Sequence, residues 1–339
     1  MKPKRSHKQE KLAELYDAEI LPLWSHRFGR MLLRDLSLPP KAMILDVGCG
    51  TGYPALDVLR RMDDQGRIVA IDPSQPMLAM ARAKAGALSG KRIFFRSEGI
   101  ETRLSFDNDV YDLVVSNLGL VDVDDAGQAL AEFARVTKPG GRVIATTPLI
   151  GTFGEFYDLF REVLIKRDRA EALARLDQWL TRYPTHDEAA EWLHGAGLID
   201  VAVEHETFQL LFKSSREFFF APIIEYGPLP DWKELAGKGQ EMQETFWQIK
   251  ESIDAYFGSG PFSLTVAAGC LRGRKPLGEE ERSEPPQKDS LSRRGRIPLT
   301  ASTAGGDTGE IVLGTGEIDL IDLPPVRFLD EEDDEEEPL

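Results

Sequence analysis

Between Glu10 and Leu36 the apolar residues Leu12, Leu15, Ile20, Leu23, Phe28, Leu32 and Leu33 recur at spacings near three and four, which predicts one or two amphipathic helices. Leu38-Pro39-Pro40 stops them, since proline withholds an amide donor and disfavours helical backbone before it. Short apolar runs then alternate with helical periodicity. Strands are predicted over 42–47, 68–71, 92–96 and 111–116, with helices over 53–62, 76–85 and 126–137. After Lys138-Pro139-Gly140-Gly141, expected as a turn, a strand follows over 141–147. A helix over 187–196 ends at Gly197, and the last two strands cover 201–211 and 262–271. Strands separated by helices are the pattern of a largely parallel sheet covered on both faces, an α/β architecture.

Two stretches, 149–184 and 213–261, are helical and rich in aromatics but stand outside this alternation. They are expected as lids, because α/β sheets bind ligands in the crevice beyond the carboxyl ends of their strands. After Arg274 periodicity fades into Glu, Ser, Pro, Arg and Gly, and the chain ends in an acidic run over 330–337, so a disordered tail is expected over 275–339.

Charge changes the picture in one respect. The segment from Lys275 onward holds 18 acidic and 7 basic residues and thus −11 of the chain's net −16. The remaining part is only mildly acidic and lacks the basic footprint of a phosphate-backbone binder, which argues against nucleic acid. Two cysteines, Cys49 and Cys270, without paired spacing make neither a disulfide framework nor a zinc site. The histidines likewise show no ligand spacing, and no metal is expected. The basic start lacks the apolar core of a signal peptide, and no run reaches the length of a membrane span, so a soluble, cytoplasmic protein is expected.

The strongest local signal is Ile44-Leu45-Asp46-Val47-Gly48-Cys49-Gly50-Thr51-Gly52, where a strand turns into a helix. Gly48 and Gly50 permit backbone conformations closed to other residues and let a ligand lie against bare main chain. A second acid, Asp72, ends the next strand about twenty residues on, where such folds set a carboxylate against ribose hydroxyls. A nicotinamide fingerprint would space its glycines Gly-x-Gly-x-x-Gly; here they fall at 48, 50 and 52 behind Asp46. An acid in that position repels pyrophosphate but suits a ligand bearing an ammonium and a sulfonium, as S-adenosylmethionine does.

On these residues the chain resembles the class I S-adenosylmethionine-dependent methyltransferases, over roughly residues 16–274. Further blocks agree with the family: Ile71-Asp72-Pro73-Ser74, Ser97-Glu98-Gly99-Ile100-Glu101 followed by Leu104-Ser105-Phe106-Asp107, Tyr111-Asp112-Leu113-Val114-Val115-Ser116-Asn117, and Lys138-Pro139-Gly140-Gly141. The resemblance implies a Rossmann-like seven-stranded sheet with helices on both faces. It divides the chain into an N-terminal helical segment (1–40), a methyltransferase domain (41–274) with lid inserts, and the tail. It implies S-adenosylmethionine as cofactor, held by Asp46, Gly48, Cys49, Gly50, Asp72, Pro73, Glu98, Gly99, Ile100 and Asn117. Asp72 would take the ribose and Glu98 the adenine amino group, although Asp is more usual there.

Methyl transfer from a sulfonium needs alignment and exclusion of water more than side-chain chemistry. The candidate catalytic residues are Asn117, Tyr16 and Glu225. Tyr16, with Asp17, belongs to the segment that in relatives folds over the methionine part of the cofactor; it either faces the sulfonium or serves as helix core. Asn117 is either beside the reacting centre or a strand-end turn residue. Glu225 is the lid carboxylate proposed as a base. Ser116-Asn117-Leu118-Gly119 lacks the Pro-Pro-aromatic element of amine-directed enzymes, which points to a small or lipid-like acceptor. The lid aromatics, among them Phe153, Phe156, Tyr157, Phe218, Trp232 and Trp247, either line its pocket or hold the lids together. A non-catalytic S-adenosylmethionine-binding regulator, a protein methyltransferase and a nicotinamide-dependent reductase are the alternatives. The apolar island 318–329 before the acidic run suggests a protein partner for the tail, or a merely solubilising segment.

Overall fold

The structure, a computed structural model, describes residues 7–100, 103–258 and 260–278. The expected tail from 279 onward, its apolar island and Glu101 lie outside the described residues. The chain opens with α1 (His7–Leu15), a π-helical turn (Tyr16–Ile20), α2 (Leu21–Leu23) and α3 (Ser25–Leu33). There follow β1 (Met43–Val47), α4 (Ala55–Arg61), β2 (Arg67–Asp72), α5 (Gln75–Ala85), β3 (Ile93–Ser97), β4 (Tyr111–Asn117), α6 (Ala126–Val136) and β5 (Thr137–Pro148). The first insert supplies α7 (Gly154–Lys166) and α8 (Ala170–Leu180), after which α9 (His186–Gly195) leads into β6 (Ile199–Phe212). The second insert holds α10 (Ser215–Phe220), α11 (Pro222–Glu225), α12 (Leu229–Ala236) and α13 (Gly239–Phe257), and β7 (Phe262–Arg274) closes the sheet.

The seven strands lie in the order β3-β2-β1-β4-β5-β7-β6. The first five are mutually parallel and β7 is antiparallel to both its neighbours. The reversal of direction on either side of β1 and β4 opens a crevice at their carboxyl ends. β1 shows why its sequence reads as an unbroken apolar run: Ile44 joins one core cluster while Leu45 and Val47 join the other, so both faces are buried. Asp46 alternates onto the Ile44 side, fully buried, where the Ala55 amide at the start of α4 donates to its Oδ2 at 3.1 Å.

Helix ends are set locally. Ser74 caps α5, accepting from the Met77 amide at 3.4 Å with Pro76 in the first turn. Asp125 caps α6 from the Gln128 amide at 2.9 Å, and Thr185 with Glu188 forms a capping box on α9. The expected turn at Lys138–Gly141 differs from the structure. It is a bulge inside β5, between the pairings Tyr111 with Thr137 and Leu113 with Arg142, with Gly140 at φ +77°. Order also runs past Arg274: the Lys275 carbonyl accepts from Gly140 N at 2.8 Å and its amide donates to Gly141 O at 2.8 Å.

Both inserts are helical, and most of their aromatics hold them together. Phe156 stacks on Trp232 at 3.9 Å between centroids, Phe218 packs edge-on against Phe262 at 5.1 Å, and Trp232 Nε1 donates to Tyr157 Oη at 3.1 Å. Phe153, Phe156, Tyr157, Phe160, Phe218 and Trp232 are all buried, whereas Phe220, Tyr226 and Trp247 are exposed. Among the described residues no helix is long and apolar enough to cross a membrane.

Candidate active site

The glycine loop follows β1 at the sheet's carboxyl edge. Gly48, Gly50 and Gly52 have φ of +76°, +50° and +104°, conformations that penalise any residue with a Cβ. The loop is fixed by its own amides: Gly48 N and Cys49 N both donate to Ile71 O at 2.9 Å, and Gly52 N donates to Cys49 O at 2.9 Å. Cys49 contributes main chain only. Its thiol is fully buried and burial pushes its pKa well above the ordinary range, so it is no nucleophile.

The two acids flank this loop differently. Asp72, at the end of β2, accepts from Gly50 N at 2.9 Å through Oδ2 and from Ser74 N at 2.8 Å through Oδ1. Burial raises its pKa while these two amides lower it. Asp46 is more isolated: its Oδ1 is buried with no hydrogen-bond partner among the described residues. Burial above all, then the charge of Asp72, raises its pKa from 3.8 to about 7. An orphaned carboxylate oxygen beside bare glycine main chain is an unmet demand for a positive or donating group, so the residues present fit an ammonium-bearing nucleoside.

Tyr16 closes the loop from above. Its ring comes within 3.7 Å of where a Gly50 Cβ would stand, and its Oη shares a 2.8 Å hydrogen bond with Ser25 Oγ. Burial is the main reason its pKa rises to about 12, and Asp72, Asp17 and Asp122 add to the rise. A clasp holds it there: Thr51 Oγ1 donates to Asp17 Oδ1 at 2.5 Å, and Lys84 Nζ reaches both Asp17 and, at 3.2 Å, Thr51 Oγ1. Sequence reasoning found Tyr16 and Asp17 but missed Ser25, Thr51 and Lys84, which no spacing rule connects to them.

Asn117 ends β4, buried, with its side chain occupied on both sides. Its Nδ2 donates to Ser25 O at 3.1 Å, and its Oδ1 accepts from Thr146 Oγ1 at 2.9 Å. It thereby ties α3 to β5 under the same N-terminal segment. Beyond it Leu118 takes a left-handed backbone at φ +69°, held by its amide donating to Thr146 O at 3.2 Å and to Thr146 Oγ1 at 3.0 Å. This costs about 1–2 kcal/mol for a residue with a Cβ. The turn sets Gly119 against Ser116 Oγ, with Ile100 Cδ1 and Val47 O at 3.0 and 3.2 Å from the place of a Cβ. A Cβ at Gly119 would meet its own neighbours, a packing constraint that sequence reading passed over.

Ile100 packs against both glycines, its Cδ1 also 3.4 Å from a Gly48 Cβ position. Glu98 is already engaged: Oε1 accepts from Ser105 N at 2.7 Å, Oε2 from Ser105 Oγ at 2.6 Å, and Arg96 Nε lies 3.2 Å away. Gly99 is half-buried beside them, and exposed Pro73 accepts at its carbonyl from Ser97 Oγ at 3.3 Å. Glu225 is exposed at the end of α11, a helix that packs against the Tyr16–Ile20 turn. Among the described residues no three His, Cys, Asp or Glu side chains are grouped to hold a metal ion.

A sheet in this order, with a glycine loop between two acids at its carboxyl edge, is a nucleoside-binding α/β domain. Residues 44–141 match the family described as a methyltransferase domain. This match and the relatives below support a class I S-adenosylmethionine-dependent methyltransferase, an enzyme with S-adenosylmethionine as cofactor. Among curated proteins it is similar to the demethylmenaquinone methyltransferase of Shouchella clausii, 28% identical over 198 residues, 56% of this chain and 84% of that protein. It is equally similar to that of Bacillus cereus strain B4264, 28% over 211 residues, 59% of this chain and 89% of the relative. Among solved structures, the YcgJ protein of Bacillus subtilis aligns at TM-score 0.49 and 17% identity, over 75% of this chain and 100% of its own.

Proposed function

We propose that this enzyme methylates a small or lipid-like acceptor of the quinone type, in the cytoplasm. Support comes from the two demethylmenaquinone methyltransferases just described, whose similarity spans most of their own length. The observation that carries the donor side is the buried, partnerless Oδ1 of Asp46 beside the Gly48–Gly50 main chain, roofed by Tyr16.

When bound, S-adenosylmethionine supplies an electrophilic methyl on a sulfonium. In this reading Gly48, Cys49 and Gly50 offer main chain, and Asp46 balances the cationic end. Asp72 takes the ribose with its remaining lone pairs, beside Pro73. Glu98, Gly99 and Ile100 border the adenine; Ile100 supplies apolar cover and Glu98 a carboxylate shared with Ser105. Tyr16 offers a ring face to positive charge, worth about 0.5–2 kcal/mol, and the Asp17–Thr51–Lys84 clasp keeps it in register. Asn117 acts as a positioning residue that joins the roof to the sheet. The α11 end brings Glu225 to the roof's flank, where it would draw a proton from an acidic acceptor hydroxyl or carbon. The functional unit is residues 41–274 with the 1–40 segment as roof and 149–184 and 213–261 as lids.

The test is turnover: purified protein with S-adenosylmethionine and demethylated quinone, reading S-adenosylhomocysteine release. Release that depends on the quinone supports the proposal. If donor binding is normal but only protein or nucleic acid fractions become methylated, the acceptor class is wrong.

A further inference from the structure

α3 carries Arg27 and Arg30, three apart on one side of the helix, and Arg34 follows at its C-cap. With Met31 and with Glu206, Thr207 and Phe208 of β6 they line a cleft of about 230 Å³. Their situations differ. Arg34 is neutralised by Glu206 and lies 3.9 Å from Glu204, and Glu204 is shared with Arg272 at 2.7 Å. Arg27 lies over the ring of Phe208, 5.5 Å from its centroid, which orients a half-buried guanidinium without discharging it. Arg30 is exposed, and among the described residues neither Arg27 nor Arg30 has a carboxylate partner.

Two uncompensated guanidiniums one turn apart repel each other; burial first and then the Arg30 charge lower the Arg27 pKa. The cleft lining holds three guanidiniums against one carboxylate, an excess of two positive charges. That suits a phosphate group, whose several oxygens can be shared between two guanidinium forks. The same helix begins at Ser25, which contacts Tyr16 and Asn117, so the cleft flanks the element that roofs the donor cradle.

We propose that the cleft between α3 and β6 is a binding site for a phosphate group, gripped by Arg27 and Arg30. The phosphate belongs either to a free phosphate ester or to a phospholipid headgroup at a surface in which an acceptor resides. Two arms separate these sources on the full-length protein at low salt: calorimetric titration with inorganic pyrophosphate, and co-sedimentation with phosphatidylglycerol vesicles against phosphatidylcholine vesicles. Saturable pyrophosphate binding indicates a soluble ester; phosphatidylglycerol binding without pyrophosphate binding indicates a headgroup. In either arm R30Q is expected to weaken binding about tenfold and R27Q/R30Q further, since charge-assisted hydrogen bonds are lost. K91Q, which removes a surface cation from the turn before β3, should leave binding unchanged. Arg30 is exposed, so R30Q keeps the test valid even if removing the Arg27–Phe208 contact impairs folding. The proposal is overturned if neither probe binds, if both arginine variants bind like the unaltered protein, or if K91Q loses as much as R30Q.

Discussion

Asp46 should couple donor binding to proton release. Burial holds its pKa near 7 in the free protein, against 3.8 ordinarily. That gap of roughly three units is about 4 kcal/mol at 1.36 kcal/mol per unit. A cation ~4 Å away at an effective dielectric near 20 contributes about 4 kcal/mol of attraction. The two are of one size, so a bound ammonium should return the carboxyl to its ionised form. Near pH 6 the free protein therefore holds a proton that the complex releases, and affinity should fall as pH drops from about 7 toward 4, by up to tenfold per unit.

The free protein carries the complementary signature. Its folded state keeps the Asp46 proton up to about pH 7, whereas the unfolded chain loses it near 4. The folded state thus binds more protons across that window, and this residue's contribution to stability declines as pH rises through it. Asp46→Asn is near-isosteric, keeps an acceptor for the Ala55 amide and cannot ionise. It should flatten that decline while weakening donor binding at least tenfold at pH 8, opposite effects from one substitution. Calorimetry at pH 6 in two buffers of different ionisation enthalpy counts the protons released, and thermal unfolding from pH 4.5 to 8 reads the stability limb. No proton release together with pH-independent affinity, or an Asp46→Asn variant that binds like the parent, refutes the reasoning.

Gly48→Ala forces a Cβ at φ +76°, 3.4 Å from Gly119 Cα and Ile100 Cδ1; it should cost about 1–2 kcal/mol of stability and reduce donor affinity, read by melting with and without donor. Tyr16→Phe removes only the hydrogen bond to Ser25, about 0.5–1.5 kcal/mol, whereas Tyr16→Ala also removes the ring and should raise the donor Kd further. Equal effects of the two would mean the ring contributes nothing to donor binding. Lys84→Met should raise KM for the donor with little change in kcat, and the difference from the parent should shrink at high salt, because a partly exposed pair is being screened. Trp232→Ala empties the centre of the lid cluster and should cost about 3–5 kcal/mol, seen in denaturant unfolding.

The strand and helix rhythm was legible because it rests on local physics. Continuous apolar runs such as Ile44–Val47 require burial on two faces, and cap residues such as Ser74 and Asp125 act within one turn. The glycine loop was legible for the same reason: Asp46, Gly48, Gly50 and Asp72 lie within two strands and their turn, and the positive φ values explain why glycine recurs. Sequence also identified Tyr16 as a residue with two readings, helix core or ligand face, and it could go no further.

The surroundings of Tyr16, and of most candidate site residues, are set by contacts between distant segments. Tyr16 meets Gly50, Asp17 meets Thr51 and Lys84, and Ser25 meets Asn117 only once the N-terminal helices have packed across the sheet edge. The Asn117 amide and the Glu98 carboxylate turn out to be engaged by Thr146 and Ser105, which no reading of residue type reveals. The lid aromatics are mostly core, with Phe220, Tyr226 and Trp247 left outside. Burial and pairing depend on which surfaces meet, a long-range property of packing, while propensity and turn geometry are carried by neighbours along the chain.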